Sequence, residues 1–148
     1  IEGLNKADSR IRTGLELTMF DVVSIIEATA KHNVRIRSGL KVRSGRLLNS
    51  IAKDVHFDGD DVVGEVYSAG VPYARIHEEG GIIPSHFVSP RVAKALKFEV
   101  GGVTVFSKGH QLPDIKIPAR PYLRPALESN AALIEKKFAD FVENILGE

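Results

Sequence analysis

The sequence has no cysteine, no apolar run approaching the about 18 residues of a membrane span, and almost no net charge, +1 over 148 residues. Each lack excludes something. Without thiols there is no disulfide, no thiolate nucleophile and no Cys-based zinc or iron–sulfur centre, which is compatible with a reducing compartment. Without a long apolar run or a short basic-then-apolar leader, the sequence reads as soluble and unsecreted, with no membrane association. Its 20 basic residues are balanced by 19 acidic ones, so bulk charge does not make it a nucleic-acid binder. The first residue is Ile1 rather than Met, which reads as a processed or trimmed start.

Catalytic signatures are missing as well. There is no GxSxG nucleophile elbow, no GxGxxG, and Gly101-Gly102 are not followed by the Lys-Ser/Thr of a phosphate-binding loop. The five histidines, His32, His56, His77, His86 and His110, include no HxxxH or HxH pair that would set two ligands around one ion. The expectation is therefore no catalytic residue, no cofactor and no metal: a protein that is not an enzyme.

What remains is a chain that is 43% hydrophobic and 26% charged, enough for one domain, 1–148, to bury roughly 70% of its unfolded surface. Between residues 4 and 32, Ala7, Ile11, Leu15, Met19, Val22, Ile26 and Thr29 recur at the three-to-four spacing of an amphipathic helix. Ser38-Gly39 reads as its interruption. Ser44 then precedes a short helical turn over 44–51 and is placed to cap it. Residues 51–57 and 62–67 alternate around Asp58-Gly59-Asp60-Asp61, the pattern of a β-hairpin.

Pro72 and the Gly80-Gly81 pair bracket a short helix, with Tyr73 and Ile76 expected on its inner face. Residues 82–95 carry Pro84 and Pro90 and read as an irregular surface excursion, the one linker candidate. A second hairpin spans 96–107 with Gly101-Gly102 as a two-residue turn. Residues 108–114 read as a polar loop, Ile115 and Ile117 as a last strand, and Pro125 as the start of a closing helix that runs to Gly147. The predicted fold is α+β: an antiparallel sheet of four to five strands packed by long N- and C-terminal helices, with a projecting β-hairpin or loop.

Charge is distributed unevenly along the chain. No acid lies between Glu27 and Asp54, while Lys31, Arg35, Arg37, Lys41, Arg43, Arg46 and Lys53 all do. This stretch is either a solvated face or a contact for nucleic-acid backbone or an acidic partner. Arg120 and Arg124 flank Pro121-Tyr122-Leu123, where proline fixes the chain's exit from the sheet. Arg120 either pairs with Glu78 or Glu79 within the domain or, with Tyr122 and Arg124, anchors a subunit interface.

Three separated stretches carry a resemblance: Ser44-Gly45-Arg46-Leu47-Leu48-Asn49-Ser50-Ile51; Pro72-Tyr73-Ala74-Arg75-Ile76-His77-Glu78-Glu79-Gly80-Gly81; and Ile117-Pro118-Ala119-Arg120-Pro121-Tyr122-Leu123-Arg124-Pro125-Ala126-Leu127. In that order they resemble the virion morphogenesis and tail-completion proteins at the neck of long-tailed bacteriophages. Members of that family read like TGxLxxSI, YAxIHxxGG and IPARPFLxPAL. This chain departs by Ser44 for Thr, Glu79 where an aromatic often stands, and Tyr122 for Phe. The segment Lys94-Ala95-Leu96-Lys97-Phe98 is similar to the Mu-like branch of the group.

The resemblance implies a structural virion protein of the phage neck, assembled in the host cytoplasm. It would be one subunit of a hexameric ring, monomeric when isolated, joining a tail terminator or tail tube protein to a head-side connector or head-closure protein. It implies interface roles for Tyr73, His77, Glu78, Gly101, Gly102, Arg120, Tyr122 and Arg124. Lys31, Arg35, Arg37, Lys41, Arg43 and Arg46 would face non-specifically contacted, transiting DNA. A nucleic-acid-binding regulator using residues 31–53 is the competing reading, and a small hydrolase the third.

Overall fold

The computed structural model describes residues 2–37 and 44–147. It is α+β, with a long N-terminal helix and antiparallel strands in small sheets. Helix α1 (Glu2–His32) passes into a π-helical turn at Asn33–Arg37. Its buried residues Val22, Ile26, Ala30 and Val34 fall four apart and so share one stripe. That stripe lies across β1 (Ile51–Asp58) and β2 (Asp61–Ser68), whose hairpin closes over Gly59 and Asp60. Gly64 in β2 leaves space for the side chains of Met19 and Val23, which occupy the position a Cβ would take.

Ser38-Gly39, read as the helix interruption, lies outside the described residues. The next helix, α2 (Arg46–Ser50), begins later than the sequence suggests. Its N-cap is Gly45 in the left-handed region, and Ser44 contributes only one long bond, Oγ accepting the Arg46 N–H at 3.4 Å. Helix α3 (Ala74–Glu79) buries Ala74 instead of Tyr73, which sits one residue before the helix and is exposed.

The largest correction concerns residues 81–117. The polar loop and the irregular excursion are the two limbs of one antiparallel arm. Strand β3 (Gly81–Ile83) pairs with β8 (Ile115–Ile117), β4 (His86–Val88) with β7 (His110–Leu112), and β5 (Leu96–Val100) with β6 (Val103–Ser107). The pairs nest, so the chain climbs one limb, turns at Gly101-Gly102 and descends the other. Pro84 on one limb and Pro113 on the other fall in the gap between the first two rungs, and Pro90 falls in the next gap. Proline has no N–H to give a ladder, which is why the arm is segmented and invisible to strand periodicity. Ser85 N–H bridges the first gap by donating to Asp114 Oδ1 at 2.7 Å.

Among the described residues the pairing forms four two-stranded ribbons in place of the expected sheet of four to five strands. The closing helix is also two helices, α4 (Arg124–Glu128) and α5 (Ala131–Leu146). Asn130 separates them. Its side-chain amide donates to Ala126 O at 2.7 Å and to Thr29 Oγ1 at 3.1 Å, satisfying a helix-end carbonyl and tying the break to α1.

Candidate subunit-contact site

Two places concentrate unusual features: the joint where the arm returns to the body, and the arm itself. At the joint, Gly80 ends α3 with φ of 75°, and a Cβ there would stand 2.8 Å from Ala119 N and 3.1 Å from Ile117 O. Glycine is therefore required both for conformation and for room. With the two limbs pressed together, the Arg120 N–H donates to His77 O at 2.6 Å. The carboxylate of Glu78 then accepts three successive backbone N–H groups, from Tyr122 at 2.7 Å, Leu123 at 3.0 Å and Arg124 at 2.8 Å. These are donors at the start of α4 that its own helix leaves unpaired, and a carboxylate is their strongest partner.

Tyr122 lies between these bonds and the core. It is fully buried with Val22, Ile26, Ala30, Val34, Ile51 and Ala126, and its carbonyl accepts from Asn33 Nδ2 at 3.1 Å. Burial raises the phenol pKa above its ordinary value of 10; the Ser68 hydroxyl partly offsets the rise and the charge of Glu78 adds to it. The hydroxyl oxygen makes no hydrogen bond of good geometry among the described residues, while Ser68 is taken up by Ser50 at 2.6 Å.

Several expected site residues are thereby reassigned. Tyr122 is a fully buried core residue. Arg120 pairs with neither expected acid, because Glu78 is committed to backbone and Glu79 is held by Arg75 Nε at 2.9 Å. Arg120 and Arg124 present exposed side chains, and Tyr73 stands edge-on to His77 with ring centroids 5.7 Å apart. His77 buries its Nδ1 without a partner among the described residues. Gly101 and Gly102 occupy the arm's tip with φ of 58° and 81°, the pair of positive angles a two-residue hairpin turn demands.

The arm exposes an unusual amount of apolar surface. Phe87 is 65% and Phe106 67% exposed, and Ile82, Val92, Val100 and Val103 are also open to solvent. Isolated apolar residues on a surface are ordinary, and a concentration of them on one projection is not.

The basic stretch is partly neutralised inside the chain. Glu27 accepts from Lys31 at 2.6 Å and from Lys53 at 2.9 Å, and the hydrogen bond from Lys31, then that from Lys53, holds its carboxyl below the ordinary value. Arg46 reaches Gly70 O at 3.5 Å and Arg35 is exposed. Arg37 belongs to the π turn, and Lys41 and Arg43 lie outside the described residues.

Sequence spacing also missed what register brings together. Asp54 faces Glu65 across the β1–β2 ribbon, and with His56 they offer donor atoms within 4.8 Å of one another, all exposed. Three donors on an open face could hold a cation from one side only. Glu78, expected as an interface residue or as a partner of the Arg120 side chain, bonds instead to backbone N–H groups 44 to 46 residues away. No protein family, curated protein or solved structure matches the chain.

Proposed function

We propose that this chain is a structural subunit of a ring at the neck of a long-tailed bacteriophage, acting in head–tail joining or tail completion. The observation that carries the reading is the joint itself. The second and third signature segments, separated in sequence by the whole arm, are fastened by Glu78 to the N–H groups of residues 122–124. The first segment leads into Ile51, which packs in the same core cluster as Tyr122. The signatures are thus parts of one mechanical unit, a fixed base from which residues 81–117 extend.

In this reading the helices and the β1–β2 ribbon are the rigid body, and the arm reaches a neighbouring subunit or the next ring. Such head-to-tail contacts close into rings when the rotation between subunits permits. Replacing residues 96–107 by a short flexible turn tests this. The variant is expected to keep its helical circular dichroism and fail to join heads to tails in an assembly extract. Normal joining by this variant, which lacks the arm's outer hairpin, overturns the role assigned to the arm.

A further inference from the structure

The arm and the body carry opposite charge. Residues 81–117 contain five Lys or Arg and two Asp or Glu, a net +3 in a chain whose total is +1, and one of the two acids, Asp114, is already engaged by Ser85 N–H. Lys94, Lys97 and Lys108 are exposed near the same end of the arm as Phe106. The β1–β2 ribbon is the reverse. In its register Asp54 stands directly opposite Glu65, and Asp58 directly opposite Asp61, with all four side chains exposed. Like charges directly across a strand pair repel, and the one relief within this group is the His56 ring, 3.0 Å from Asp54.

Beside that acidic face runs a groove of about 430 Å³ between α1 and β1. Leu17, Phe20 and Val55 line it with apolar groups and Glu16 and Asp54 with carboxylates; Lys53 also lines it, over the Phe20 ring, with its charge taken up by Glu27 at 2.9 Å. Leu17 is 63% and Phe20 51% exposed. Among the described residues β1 is hydrogen-bonded along one edge only, to β2, so a further extended segment has backbone groups to meet there.

Apolar knobs flanked by cations on the arm therefore match an apolar groove flanked by carboxylates on the body. We infer that the arm of one copy of this chain docks in the α1–β1 groove of a second copy, Phe106 and its neighbours filling the apolar floor and Lys97 and Lys108 facing the Asp54–Glu65 side. This rests on the ring reading for its biological setting but on the charge and apolar match for its geometry. Donor and acceptor are different surfaces, so each copy can give one arm and receive another, as a head-to-tail array requires.

The absence of cysteine makes covalent trapping of even a weak contact clean. Phe106→Cys and Leu17→Cys proteins, each a full chain substituted at an exposed position, are purified separately, mixed at high concentration and oxidised. The expected product is a disulfide joining residues 106 and 17 of different molecules, formed several times faster in the mixture than in either protein alone. Adding Lys97→Glu to the arm donor should abolish the link, and Asp54→Lys in the acceptor should restore it.

No mixed disulfide, faster linkage within the Phe106→Cys protein alone, or linkage indifferent to the charge changes would overturn the proposal. Failure here is separable from failure of the ring reading. A chain present in neck rings but not trapped sinks this contact alone, whereas a trapped contact in a chain absent from particles sinks the ring.

Discussion

The carboxylate of Glu78 receives the backbone N–H of Tyr122 at 2.7 Å, so a side chain on one side of the arm fixes the main chain on the other. Because the same carboxylate also holds Leu123 and Arg124, its loss leaves three donors short of a partner at once, two of them partly buried. Glu78→Ala is expected to destabilise the fold by about 2–4 kcal/mol, read as a lower urea midpoint with unchanged slope. A loss below about 0.5 kcal/mol, the size of an ordinary surface change, would show that the joint is held by something else.

Tyr122 separates packing from polarity. Its ring fills the core, so Tyr122→Ala should cost about 3–5 kcal/mol. Its hydroxyl lacks a good partner, so Tyr122→Phe should fall within about 1 kcal/mol of the parent. The phenol's pKa is raised in the folded state, so its contribution is complete below the ordinary value of 10 and is lost as pH rises through the higher folded value. The Phe variant should therefore lose part of the alkaline fall in stability, and identical alkaline limbs in the two proteins would refute the assignment.

At acid pH the relevant group is Glu27. Its carboxyl ionises more easily folded than unfolded because Lys31 and Lys53 bond to it. Its contribution is present above the ordinary value of 4.5 and disappears as pH falls through the lower folded value. Glu27→Gln should thus reduce stability at neutral pH and flatten the dependence below that point. A variant whose pH–stability curve parallels the parent's would remove Glu27 from this role.

Gly80 and Gly101 share positive φ but differ in surroundings. An added methyl at Gly80 meets the backbone of Ala119 and Ile117, whereas at Gly101 nothing lies within 4 Å. Gly101→Ala should cost about 1 kcal/mol from conformation alone, and Gly80→Ala about 2–4 kcal/mol from conformation and collision together. Thermal unfolding of the pair checks this, and equal shifts would mean that the limbs are not pressed together at Gly80.

These residues also show what could be seen in advance. The α1 stripe was legible because Met19, Val22 and Ile26 repeat at the helical period, and both tight hairpins were legible because their turns carry glycine between alternating strands. The arm's lower rungs were not, since three-residue strands between prolines have no period to detect. The split between α4 and α5 depends on Asn130 meeting Thr29 across 101 residues. Glu78 could be matched in advance to the segment around Arg120, but its bonding to the backbone of residues 122–124 could not, because that depends on how the chain returns at residue 122. Among the expected interface residues, Tyr73, Gly101, Gly102, Arg120 and Arg124 are exposed, whereas Tyr122 is fully buried in the core, because burial is set by the whole fold.

The most direct test of the neck assignment is imaging of purified particles by electron microscopy, with reconstruction of the region between head and tail. The account predicts density fitting this chain in a ring there, with residues 81–117 running onto the adjacent subunit. Intact joined particles whose neck contains no copy of the chain would contradict it.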